Sequence, residues 1–268
     1  MTEIFSHGEL PWKDVIDSQV MLMHRQLAKL SCPQGCPSEM YALMQGCWKV
    51  DSGVRLSSAD VRQQLAEMLG RMDVDTATLE WPSVLAKAHS SEEEGFAGLD
   101  LHSAETRAAF ASYEIGREEL QLGRQLGKGA FGVVHMATVH DDSVAVKTLT
   151  GGGAELQEKF LLEARLLCAL RHASIVRLVH VCTASMPYAI AVELMDTDLK
   201  AYLRRVKDGP GVEELVGACV QVAQAMEHLA QHRVIHRDLA ARFESIVVGL
   251  WMIDFPGTCW SRLQGCRV

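Results

Sequence analysis

Apolar positions that recur every three or four residues dominate the first 70 residues of the chain. The spacing predicts one helix over 15–30, a second over 38–48 and a third that begins at Ser58. Ser58 is placed to cap that third helix, and Val61, Leu65 and Leu69 form a single apolar stripe along it. Pro33 and Pro37 punctuate the first gap. Residues 71–117 lose the pattern and turn acidic, with Glu92, Glu93 and Glu94 in a row, and they read as a solvated linker with short helices near 76–88 and 103–112. From Glu118 the texture changes again. Leu120, Val133, Val134, Val144, Val146 and Leu149 predict strands, with turns at 127–132 and 141–142. A helix is predicted over 154–171, strands over 175–181 and 188–194, and a long, mostly apolar helix suited to burial over 212–231.

Composition narrows the class without changing this picture. The chain is 48% hydrophobic and 22% charged, which is ordinary for a globular protein. Its net charge of -8 argues against nucleic acid as a partner, because phosphate binding needs clustered Lys and Arg. No apolar run reaches the roughly 20 residues of a membrane-spanning helix. The opening MTEIFSHGELPW lacks the basic and apolar regions of a secretory signal, so a cytoplasmic location is expected, or the cytoplasmic part of something larger. Cys32 and Cys36 are close together, but no second pair with metal-ligand spacing follows, and the eight cysteines read as reduced thiols.

Three stretches carry chemistry. In LGKGAFGVV, Gly127, Gly129 and Gly132 allow a backbone to turn sharply and approach phosphate oxygens. A plain hairpin turn uses the same residues. A dinucleotide-binding loop would run from strand into helix, whereas here the glycines run into a second strand, VVHMATV, the arrangement of a flap over a nucleotide. Lys147 ends the apolar strand VAVK, where a charge needs a partner. Glu163 is the candidate, one turn before Leu167 on the buried face of the next helix; a solvent-facing carboxylate is the simpler alternative for it alone. Finally, His236, Arg237 and Asp238 follow the long helix, and Asp238 has the chemistry of a general base.

In this order, residues 118–242 resemble the first part of a protein kinase catalytic domain. HRDLAAR resembles the tyrosine-kinase form of the catalytic loop, and ELMDTDLKAYLR is similar to the hinge and following helix of receptor-type tyrosine kinases. The resemblance implies an α+β, two-lobed kinase-like fold that is incomplete. A five-stranded antiparallel small lobe with one helix would occupy 118–195, and the start of a helical large lobe 196–268. It implies ATP bound by Leu126, Gly127, Gly129, Gly132, Val134, Ala145, Lys147, Glu193 and Met195, with Val192 as gatekeeper. The implied catalytic set is Lys147, Glu163, Asp238 and Arg242, with Asp254 holding Mg²⁺ and Leu167, Leu178 and His236 in the apolar spine between lobes. A protein tyrosine substrate or a partner kinase would complete the list of partners.

Residues 1–70 resemble the same family's far end: EIFSHGELPW, CPSEMYALMQGCW and the region of Arg55 match the last three helices of the large lobe, although Ser52 and Leu56 stand where the family has proline. The order is thus a kinase tail, a linker and a kinase head. The end of one tandem kinase followed by the start of the next accounts for it, as does an incomplete gene model. The resemblance fails after Arg242. Phe243 stands where the family has the Asn that orients one Mg²⁺, and the whole chain contains no Asn. Asp254, Phe255 and Pro256 replace Asp-Phe-Gly, and Pro256 removes the backbone freedom of that glycine. No activation segment is recognisable. Impaired transfer is expected, with an interaction module or a fragment without catalysis as alternatives. Arg55, deprived of its family partner, is expected to face solvent or meet a new carboxylate.

Overall fold

The structure, a computed structural model, describes residues 1–72, 104–129, 132–151, 153–195, 197–206, 209–236 and 239–240. Four helices form the N-terminal block: α1 (Thr2–Phe5), α2 (Asp17–Arg25), α3 (Ser38–Cys47) and α4 (Ser58–Gly70). After α5 (Ala104–Ala111) come the strands β1 (Gln121–Gly129), β2 (Gly132–Val139) and β3 (Asp142–Leu149), then α6 (Ala154–Ala169), β4 (Leu178–Cys182) and β5 (Ala189–Glu193). Two helices, α7 (Leu199–Arg205) and α8 (Val212–Gln231), follow. The strands form one antiparallel sheet in the order β1-β2-β3-β5-β4. The expected α+β architecture, a five-stranded small lobe with one helix on it and a partial helical lobe below, is therefore present.

Three apolar clusters hold it together. One lies under the first three strands and includes Leu120, Val144 and Val146. A second joins α6 and the β4–β5 pair to the end of α8 through Leu166, Leu170, Ile190, Ala225 and Leu229, so the two lobes share packing. The third combines α1, α3 and α4 with α7 and α8: Phe5, Met40 and Leu65 pack with Leu203, Val216 and Cys219. The N-terminal block thus covers the apolar face of α8, and Arg62 on α4 donates to the carboxylate of Glu227 on α8.

Several local expectations shift. Helix α2 is shorter than 15–30; it ends at Arg25 and Leu27 takes a positive φ of 58°, because the apolar side chains Ile16, Met21, Leu22 and Leu27 are exposed and no packing extends the helix. Ser57, not Ser58, caps α4: its hydroxyl accepts from the Asp60 N–H while the Asp60 carboxylate accepts from the Ser57 N–H, a reciprocal capping box. Arg55 meets no carboxylate among the described residues; on an exposed site it donates to the carbonyls of Lys49 (2.7 Å) and Val50 (2.9 Å), in keeping with the solvent-facing expectation. Residues 104–117, expected within the linker, pack on the small lobe. The short helix α5 lies against α6, and Tyr113 and Ile115 exchange backbone hydrogen bonds with Val181 of β4. Residues 76–88 lie outside the described residues.

A histidine cluster sits at the joint between lobes. The ring of His172, on the turn after α6, lies 4.9 Å from that of His228 on α8, which lies 4.4 Å from that of His232. Burial, together with the two neighbouring rings, pushes His228 down to about 4.

Candidate active site

The glycine stretch is the tip of a hairpin. Gly127 pairs with Val134, Lys128 with Val133 and Gly129 with Gly132 across β1 and β2. Gly132 is there for space: a Cβ at that position would sit 2.5 Å from the carbonyl oxygen of Thr148 on β3. Gly127 has open space around it. The hairpin is therefore held close to β3 at one end and unobstructed nearer its stem.

Lys147 lies on β3 opposite Val134 of β2 and Ile190 of β5, in the middle of the sheet. Its ammonium donates to both carboxylate oxygens of Glu163 on α6, at 2.8 and 2.7 Å. The side chains are only 10% and 14% exposed, so the pair is desolvated and the bidentate contact compensates for the lost hydration. Burial pushes the Glu163 carboxyl above its ordinary value, and the charge and hydrogen bonds of Lys147 pull it back. The ring of Phe160, one turn earlier on α6, lies 5.8 Å from the same ammonium. The alternative of a solvent-facing Glu163 is thereby removed.

The remaining expected contacts line up along the strands. Ala145 is flanked by Met136 on β2 and Val192 on β5. Leu126 on β1 is exposed and Val134 half-buried. Glu193 exchanges hydrogen bonds with Arg177: its N–H donates to the Arg177 carbonyl (3.1 Å) and its carboxylate accepts from the Arg177 N–H (2.7 Å). Of the backbone groups from Glu193 to Met195 expected to face a base, the Glu193 N–H is therefore already used within the protein. Met195 and Val192 pack against the cluster containing Leu167 and Leu178. His236 is buried after α8. Asp238, Arg242, Phe243 and Asp254 lie outside the described residues. Among the described residues no group of His, Cys, Asp or Glu is arranged to hold a metal ion, and no helix is long and apolar enough to cross a membrane.

Sequence reasoning missed the contact between Tyr113 and Arg171. The Arg171 guanidinium donates to the Tyr113 hydroxyl at 2.7 Å, and the Arg165 guanidinium lies 6.0 Å from the Phe110 ring. The signal was the apolar pair Phe110 and Tyr113 three residues apart in an otherwise polar stretch.

Comparison with known proteins agrees with this geometry. The family model for protein tyrosine and serine/threonine kinases matches residues 1–65 and 120–247. Tyrosine-protein kinase Fer of Homo sapiens is 43% identical over 131 residues, 48% of this chain and 16% of that protein. Tyrosine-protein kinase SRK2 of Spongilla lacustris is 40% identical over 139 residues, 51% of this chain and 38% of that one. The proto-oncogene tyrosine-protein kinase ROS of Rattus norvegicus is 41% identical over 143 residues, 47% of this chain and 6% of that protein. The matches thus span well under half the length of each of these relatives.

Proposed function

Because the chain belongs to the protein tyrosine and serine/threonine kinase family, we propose that it binds ATP beneath the β1–β2 hairpin and descends from a tyrosine kinase whose phosphoryl transfer is impaired here. The observation that carries the nucleotide reading is the buried Lys147–Glu163 pair directly behind the hairpin. An ammonium fixed by a carboxylate at that place is positioned to meet phosphate oxygens, and Gly127 leaves open space at the stem of the hairpin. ATP supplies the phosphoryl group when bound. Of this chain's own residues, Asp238 would take the tyrosine proton, with Arg242 in the same loop.

The Mg²⁺ site fits less well. Phe243 offers no oxygen, the sequence holds no Asn to replace it, and Asp254 is the single candidate carboxylate, so no step is assigned to the metal. This deficit favours a second reading, an interaction module of the pseudokinase type whose partner is another kinase. The cytoplasm, or the cytoplasmic face of a membrane, is the location either reading proposes.

The experiment is thermal unfolding of the full chain with ATP, with and without Mg²⁺, followed by phosphate transfer to a poly-Glu-Tyr peptide. At a hundredfold excess over Kd, ATP stabilises by about 2.7 kcal/mol, which is roughly 5–10 °C at 2–4 °C per kcal/mol for a protein of this size. That shift is expected for the wild type and not for Lys147→Met, with transfer by the wild type no greater than by that variant. Absence of any shift rejects nucleotide binding. Transfer above the Lys147→Met level rejects impairment.

A further inference from the structure

We propose that Tyr113 is a phosphorylation site whose phosphate latches the segment 104–117 onto the small lobe, beside Arg171 and Arg177. The inference does not depend on nucleotide binding by this chain.

The chain has four tyrosines, all described. Tyr41 donates to the Leu30 carbonyl at 2.8 Å, and the Tyr202 hydroxyl faces the carboxylate of Glu214, so a phosphate on either would meet a lone pair or a negative charge. Tyr188 packs against the apolar cluster beneath α6. The Tyr113 hydroxyl instead receives a hydrogen bond from a guanidinium, that of Arg171 at 2.7 Å, on the exposed rim of the fold. Tyr113 and Arg171 also border a cavity of about 290 Å³, whose wall carries Arg177 and His172 as well. The opposing charge on that wall is Glu193, whose carboxylate is already engaged by the Arg177 N–H. Two arginines against one carboxylate leave that lining with a net positive charge. Its volume is many times the ~30 Å³ that a water molecule occupies in the liquid, enough for a phosphate.

A phosphate replaces one neutral hydrogen bond by charge-assisted ones that suit the planar guanidinium. The attachment it would strengthen is local. Residues 113–115 are held to β4 by two backbone hydrogen bonds, Ile115 N–H to Val181 (2.9 Å) and Val181 N–H to Tyr113 (2.8 Å), and the Glu114 carboxylate accepts from the Thr183 N–H and hydroxyl and from the Ala184 N–H. The Tyr113 hydroxyl already lies on the exposed rim, and local opening of this short strap brings it within reach of a kinase. In the transfer, the Tyr113 oxygen bonds to the γ-phosphorus of ATP as the bond to ADP breaks, and the phenolic proton passes to the modifying kinase's base. On reclosing, the phosphate holds the strap shut. Because Phe110 bears on Arg165, two residues beyond Glu163, the closed strap also steadies α6.

The test uses the full chain with phosphotyrosine genetically encoded at 113, compared with unmodified protein and with Tyr113→Phe, each with and without Arg171→Ala. Hydrogen exchange over 104–117 and α6 is read by mass spectrometry. The phosphorylated form is expected to slow exchange over 104–117 about tenfold, as charge-assisted bonds replace a neutral one, and Arg171→Ala is expected to abolish most of that gain. Tyr113→Phe should show no slowing. Incubation of the wild type with ATP and an active tyrosine kinase should place phosphate on Tyr113 in preference to Tyr188. Faster exchange in the phosphorylated form, a gain that survives Arg171→Ala, or modification of other tyrosines with Tyr113 untouched would each overturn the proposal.

Discussion

Arg62 and Glu227 are 165 residues apart in sequence and share a hydrogen-bonded ion pair between α4 and α8. Arg62 belongs to the first stretch that the kinase family model matches, 1–65, and Glu227 to the second, 120–247. The two matched stretches meet in one helical layer. The reason is apolar: α8 has more hydrophobic surface than the small lobe covers, and α4 carries a complementary stripe.

Leu65 on α4 is fully buried in that layer. Leu65→Ala is expected to destabilise the protein by about 2–5 kcal/mol, the usual cost of a core truncation and its cavity. The effect should appear on the far side of the interface, because Cys219 of α8 is buried in the same cluster. Thiol labelling under native conditions checks this: Cys219 should react faster in Leu65→Ala than in wild type, in step with the lower urea midpoint. Unchanged labelling of Cys219 would show that the two pieces do not stabilise each other.

The Lys147–Glu163 pair predicts an asymmetry between single and double substitutions. Glu163→Leu leaves a buried ammonium without its carboxylate, and Lys147→Met leaves a buried carboxylate without its ammonium; each is expected to cost roughly 3–5 kcal/mol. Lys147→Met with Glu163→Leu removes both charges and should cost less than the sum, an interaction energy read from a double-mutant cycle in urea. Strict additivity would mean that the two groups are not coupled.

The two ends of the glycine hairpin should respond differently to a methyl group. Gly132→Ala places a Cβ against the Thr148 carbonyl, and backbone must shift to admit it, so a loss of about 1–3 kcal/mol is expected. Gly127→Ala meets nothing and has no positive φ to strain, and its melting temperature should stay within about 2 °C of wild type. Differential scanning calorimetry of both variants decides it; equal effects would contradict the close approach of Gly132 to the Thr148 carbonyl of β3.

The helix over 212–231 was legible to the residue, because a long apolar period bounded by Gly211 and His232 leaves one solution. The partner of Lys147 was legible because a charge inside an apolar strand requires one. Ends set by tertiary packing were not. Ile175 and Val176 are as buried as strand residues yet precede β4, since apolar composition marks burial and not backbone pairing. The cap at Ser57 was visible in the three-residue spacing to Asp60, but the adjacent Ser58 offered the same hydroxyl chemistry. The contact of Tyr113 with Arg171 spans 58 residues, and although the apolar pair Phe110 and Tyr113 marks the segment for packing, it does not specify the partner.

His228 makes stability depend on pH in a defined window. In the unfolded chain its imidazole binds a proton near pH 6.5, and in the folded protein near 4, because burial and the rings of His172 and His232 oppose the charge. Between these values the unfolded state holds more protons, so stability is full above about 6.5, falls as pH is lowered, and stops falling on this account near 4. The residue is half-buried with its Nε2 shut off from solvent, so the loss on this account is about 1–3 kcal/mol. Melting temperatures between pH 7.5 and 4 should therefore drop more steeply in wild type than in His228→Gln, which keeps a polar side chain but cannot titrate. If both proteins lose stability in parallel, His228 does not contribute and the acid sensitivity lies with other groups.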